Sequence, residues 1–140
     1  MLSQHAALIY VMVMVSAADR EMTDAELKTI GEIVNFLPIF RDYDPALLPK
    51  TMEACAEMLD ADDGMDRTFD VIKAALPPKL RETAYAVACD VAASDGEPHQ
   101  EVLRLLELMR HRLDIDRLAA AAIERGAKAR FYRHNGNGAH

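Results

Sequence analysis

The chain has 140 residues, 51% of them hydrophobic and 28% charged, a balance that excludes a disordered polymer and fits one globular domain. A domain of this size can bury roughly two-thirds of its unfolded surface. The net charge of −7 argues against nonspecific nucleic-acid binding, which depends on Lys and Arg neutralising phosphates. With no Trp, 6% aromatics and eight Met, the core must be filled by aliphatic side chains.

From about Ser3 to Ala18 the chain is apolar nearly all round, which predicts a central helix. Its run Ala6 to Val15 is far shorter than the roughly 20 residues a bilayer span requires. It also lacks the basic flank and processing site of a signal peptide. The helix ends at the acidic turn Asp19-Arg20-Glu21. Thr23-Asp24-Ala25-Glu26 then matches a capping box, and Leu27, Ile30, Val34 and Leu37 predict one buried stripe ending at Pro38. Asp44-Pro45 reads as a cap followed by a first-turn proline. Pro49 is expected to disrupt the turn behind it, leaving a short turn at 45–48 and a helix from about Pro49 to Leu59.

Asp60 to Gly64 is an acidic loop, and a helix is expected from about Met65 to Leu76, where Pro77-Pro78 intervenes. Lys79 to Ala93 carries Leu80, Ala84, Val87 and Val91 on one stripe. A second acidic turn, Ser94-Asp95-Gly96-Glu97, leads through Pro98 into a helix with Val102, Leu106, Met109 and Leu113. Asp114 or Asp116 can cap a last helix carrying Leu118, Ala122 and Ile123. No stretch alternates as a strand would. The expected fold class is all-α: a bundle of about seven helices over residues 1–134, with a disordered tail at 135–140.

The two acidic turns are a repeat. Asp19 and Asp95 lie 76 positions apart, and the same shift pairs Val11 with Val87, Val15 with Val91, Ile30 with Leu106 and Leu37 with Leu113. Two helix–acidic turn–helix hairpins around a pseudo-two-fold axis are the predicted architecture. The first turn holds Asp19, Glu21 and Glu26, with Asp24 near; the second holds Asp95, Glu97 and Glu101. Carboxylates crowded in this way repel unless they are solvated, capped or bridged by a cation. Hard divalent cations bind to such oxygen clusters. The plain alternative is that these acids cap helices and face solvent.

The sequence Val15-Ser16-Ala17-Ala18-Asp19-Arg20-Glu21 with Glu26, repeated as Val91-Ala92-Ala93-Ser94-Asp95-Gly96-Glu97 with Glu101, resembles the TerB-like tellurite-resistance family. The resemblance covers roughly Leu8 to Arg130. It implies a compact helical bundle whose acidic residues bind a divalent cation, Ca²⁺ first and Zn²⁺ or Mn²⁺ behind it. It also implies a noncatalytic bacterial stress-response protein in the cytoplasm, peripheral to the inner membrane and working near a membrane-embedded protein partner. A homodimer is compatible with it. Two departures stand out: Arg20 replaces the usual glycine of the first turn, and Glu101 follows Asp95 at one residue less than Glu26 follows Asp19. One residue turns a side chain by about 100° around a helix.

Other motifs are weaker. Asp60-Ala61-Asp62-Asp63-Gly64 shares the glycine of a calcium loop but puts Leu59 where the first ligand belongs. His99 stands close enough in sequence to join Asp95 and Glu97 in a transition-metal site, against the plainer reading of an exposed helix start. The basic cluster Arg125, Lys128, Arg130 and Arg133 reads as a solvated helix end. Cys55 and Cys89 read as small buried thiols. There is no nucleophile elbow, phosphate loop or zinc-binding histidine pair, so catalysis is not expected. A metal-free interaction module is the alternative function, its adaptable surface supplied by the Met-rich first helix with Met22 or Met65.

Overall fold

The computed structural model describes residues 1–18 and 22–133. Asp19, Arg20, Glu21 and the expected tail fall outside them. Among the described residues there are seven α-helices and no strand. They are α1 (Gln4–Ala18), α2 (Asp24–Phe36), α3 (Leu48–Asp60), α4 (Gly64–Ala75), α5 (Pro78–Ala93), α6 (Gln100–Arg112) and α7 (Arg117–Arg130).

Ser3 starts α1, its Oγ accepting from Ala6 N at 3.0 Å. Every residue from Ala7 to Ser16 is buried, because α1 is enclosed on all sides and touches α2 through α6. The methionines of α1 are therefore core, and Met12 and Met14 are lost to any partner surface. α5 is the other central helix and packs on α1. Outside this pair, α3 covers the far flank of α1 and α7 covers the far flank of α5. The four run in the order α3, α1, α5, α7.

α2 opens with the expected capping box, but its inward face is Glu26, Thr29, Ile30 and Val34. Leu27 is turned out, 47% exposed. Pro38 does not simply end the chain's winding. It opens a 3-10 turn, Pro38–Phe40, held to α1 by His5, whose Nε2 lies 2.8 Å from Ile39 O while its ring stacks on Phe40. A second 3-10 turn, Pro45–Leu47, is capped by Asp44 and runs directly into α3. Pro49 breaks nothing, because it occupies the second position of α3, where its missing N–H has no intrahelical partner to lose.

The acidic loop before α4 is a tight corner, not an ion-binding loop. Ala61 N bonds to Met58 O and Gly64 N to Ala61 O, and Asp63 adopts a left-handed φ of 54°. The chain re-enters a helix within three residues of leaving one, which leaves no room for a twelve-residue calcium loop. Arg112 clasps α6 to α4, reaching Asp66 at 2.8 Å and Asp70 at 3.1 Å across the Phe69 ring.

Asp116 caps α7 by accepting from Leu118 N and Ala119 N. Of the apolar residues read on this helix, Ile123 packs against the core. Ala120 and Ala127 are buried, while Leu118 is 79% exposed and Ala122 faces out. Tyr85 of α5 donates to Glu124 Oε2 at 2.6 Å, which fixes the inner face of α7. Cys55 and Cys89 are buried free thiols, as expected, and burial pushes each up to about 12.

Candidate functional site

α5 runs out at Ala93, and the second acidic turn is built from Ser94 onward. Ser94 is buried, its Oγ donating to Val91 O at 2.7 Å. Its own carbonyl accepts from Arg133 at 2.6 Å. This knot fixes the start of the turn. Gly96 then takes φ of 100°, a conformation that L side chains rarely adopt, and bonds from its N to Ala93 O. The reversal leaves Asp95 and Glu97 exposed on either side of it. Neither carboxylate takes a hydrogen bond or an ion pair from another described residue.

Of the first turn, Asp19 and Glu21 lie outside the described residues, while Asp24 and Glu26 lie within α2. Asp24 is its first residue and exposed. Glu26 is its third, only 3% exposed, and its Oε1 accepts from Thr23 N while Thr23 Oγ1 accepts from Glu26 N, both at 3.1 Å. The buried Glu26 thus serves the helix start, whatever else it holds. Ser16, buried at 1% exposure three residues before Asp19, has an Oγ with no hydrogen-bond partner among the described residues.

The offset of Glu101 has a simple structural form. α2 and α6 are both 13 residues long, and Asp24 to Gln100 and Phe36 to Arg112 are each separated by the repeat shift of 76. Thr23 and His99 are therefore matching caps, and the third residue of α6 is Val102, 3% exposed like Glu26. Glu101 falls on the second position and points to solvent. In the second hairpin the inward place went to valine and the acid moved one step round. Among the described residues no group of three or more His, Cys, Asp or Glu is arranged to hold a metal ion.

Two further surfaces emerge that helical periodicity alone had hidden. α3 and α1 border an open groove of about 540 Å³ with Glu53, Glu57 and Asp60 along one side and Val13, Ala56 and Leu59 in its floor. On α7, Arg125, Lys128, Ala129 and Tyr132 form an open, shallow face. The basic cluster is thus divided. Arg130 pairs with Asp90 and Arg133 with Ser94, whereas Arg125 and Lys128 face out. The spacing of Glu53, Glu57 and Asp60 at i, i+4, i+7 was visible as one helix face; that the face borders a groove was not.

An all-helical domain whose sequence carries an acidic segment after each of its two central helices defines the class of this protein. The family model for "Tellurite resistance protein TerB" matches residues 5–125. The chain belongs to the TerB family. No curated protein and no solved structure gives a match. Among the described residues, no helix is long and apolar enough to cross a membrane.

Proposed function

We propose that the protein is a noncatalytic TerB-family stress protein that binds a divalent cation at its acidic turns, Ca²⁺ in first place. The observation that carries this reading is the Asp95-Gly96-Glu97 turn. A positive-φ glycine presents two exposed carboxylates that no other described side chain engages. The donor set fits the ion: Asp and Glu oxygens only, suited to a hard cation of adaptable coordination. Zn²⁺, which favours nitrogen and sulfur donors, would be held less well by such a set, whereas Mn²⁺ shares the preference for oxygen.

A cation there would supply positive charge against the mutual repulsion of the carboxylates. Since no three described residues suffice, the reading requires Asp19 or Glu21 to complete the site with Asp95 and Glu97. Asp24 and Glu101 lie on exposed first-turn positions as outer contributors, and Glu26 stands behind them as the cap. The buried Ser16 hydroxyl gives one more oxygen close in sequence to Asp19. Joint use of both turns is favoured by the packing. α2 lies against α5 and α6 against α1, so each hairpin's second helix meets the other hairpin's first, as a pseudo-two-fold pair would. The cytoplasmic setting near the inner membrane and the membrane-embedded partner come with the family resemblance and belong to the same proposal.

Calorimetric titration of demetallated protein with Ca²⁺ tests it. Saturable binding is expected in roughly the micromolar to millimolar range that extracellular and sensor sites span, with Asp95→Asn and Asp19→Asn each abolishing it. Absence of saturable heat, or unchanged affinity in both variants, would overturn the reading.

The metal-free interaction module stands as a second reading. It is favoured by Leu27 and Leu103, a repeat-matched pair 47% and 48% exposed just inside α2 and α6, and by Met65 at 46%. Partner capture undiminished by chelation but lost in Leu27→Ser/Leu103→Ser supports it over the cation reading.

A further inference from the structure

Two open surfaces on the outermost helices carry opposite charge. On α3, Glu57 and Asp60 line the groove, three residues apart; on α7, Arg125 and Lys128 stand on an open, shallow helix face, also three residues apart. That spacing places both members of each pair on one helical face, about 5–6 Å apart at Cβ. Around these pairs, Val13, Ala56 and Leu59 line the groove together with a third acid, Glu53, and Ala129 and the 80%-exposed Tyr132 stand beside the cations. Alanines at such positions allow two helices to approach closely.

We infer that the α7 face of one molecule docks into the α1–α3 groove of a second copy of this chain. Within one molecule the two surfaces cannot meet, because α1 and α5 lie between α3 and α7. Pairing α7 with α7 would set Arg125 and Lys128 against their own copies, which like-charge repulsion disfavours. The acidic groove is what the net charge of −7 leaves abundant, and α7 carries the cations to match it. Since the two patches differ, the contact is heterologous. It grows into chains or closes into a ring; it does not stop at a two-fold dimer. Because both charged pairs are exposed at its rim, the association is sensitive to salt.

Sedimentation velocity of the full chain in chelator, from about 10 µM to about 1 mM and at about 20 mM and about 500 mM salt, tests this apart from any cation. The mass is expected to climb to at least about twofold that of the monomer at low salt and to fall back at high salt. Arg125→Glu/Lys128→Glu and Glu57→Lys/Asp60→Lys, each with an unchanged thermal melt, should remain monomeric alone. Mixed, they should associate again, since intact cations meet intact acids at one contact and the reversed pairs meet each other at the next. A wild type that stays monomeric at low salt would overturn the inference. So would single-face variants that still self-associate, or a mixture that fails to pair, which would direct each surface to some other partner.

Discussion

A side chain at Gly64 would have to occupy space already filled by backbone, since its Cβ would stand 2.5 Å from Met58 O and nearer still to Leu59 O. Backbone cannot rotate aside as a long side chain does, so Gly64→Ala should cost about 2–3 kcal/mol, the upper range for overpacking, read as a lowered denaturation midpoint. Tyr85 is a different case. Its hydroxyl, all but buried, donates to the Glu124 carboxylate, and Tyr85→Phe should cost about 1.5 kcal/mol for the lost charge-assisted bond. Asp114, by contrast, is exposed. The Lys73 ammonium 2.8 Å away holds its carboxyl below the usual range, yet solvent screens the pair and its loss should scarcely register. The buried thiols set a pH limit. Below about pH 9 Cys55 and Cys89 keep their protons in both folded and unfolded chains. Between there and about 12 only the unfolded chain releases them. Stability should therefore fall as pH rises through this window, by about 1.4 kcal/mol per pH unit for each thiol. Urea unfolding at stepped alkaline pH, repeated with Cys55→Ala/Cys89→Ala, measures how much of the slope is theirs.

At the scale of helices, the starts were written in the sequence and the rotations were not. Thr23-x-x-Glu26 is a capping box in fact, and Thr23→Ala should remove about 1 kcal/mol, seen in a thermal melt. Asp116 and the prolines at 38, 45 and 78 all stand at helix starts. Such signals act over three or four residues, which is why they can be read locally. Which face turns inward depends on neighbours far along the chain. Leu27 was placed in a buried stripe, yet Glu26 took the inward position because its carboxylate satisfies Thr23 N there. Of the apolar residues read on the last helix, Ile123 packs against the core, yet α7 presses its small Ala120 and Ala127 inward and leaves Leu118 out. In an alanine-rich helix close approach decides the rotation, and hydrophobicity alone does not place Leu118. Of the candidate site, the acids were legible from their repetition. The displacement of Glu101 was legible as well, and the helix registers explain it: valine holds the inward place that glutamate holds in α2. The groove along α3 was not, because it needs α1 beside it.

In the whole molecule, α1 is the element every other packing decision refers to. Leu8, Val11, Met12 and Val15 have no exposed surface, and Leu8→Ala should cost about 2–5 kcal/mol. Against the 5–15 kcal/mol typical of a domain, this is enough to leave a measurable unfolded fraction in a urea titration. A helix enclosed on all sides depends on everything that encloses it, and here all of that comes later in the chain. As the polypeptide leaves the ribosome, α1 emerges ahead of the six helices that pack around it or beyond it, with ten consecutive residues destined for burial. α2 arrives next and α3 after it, but the long apolar contact with α5 must wait until Ala93 has been made. For that interval the nascent protein carries its future core on the outside. Its acidic charge, spread through the segments that follow, is then what keeps the growing chain apart from its neighbours.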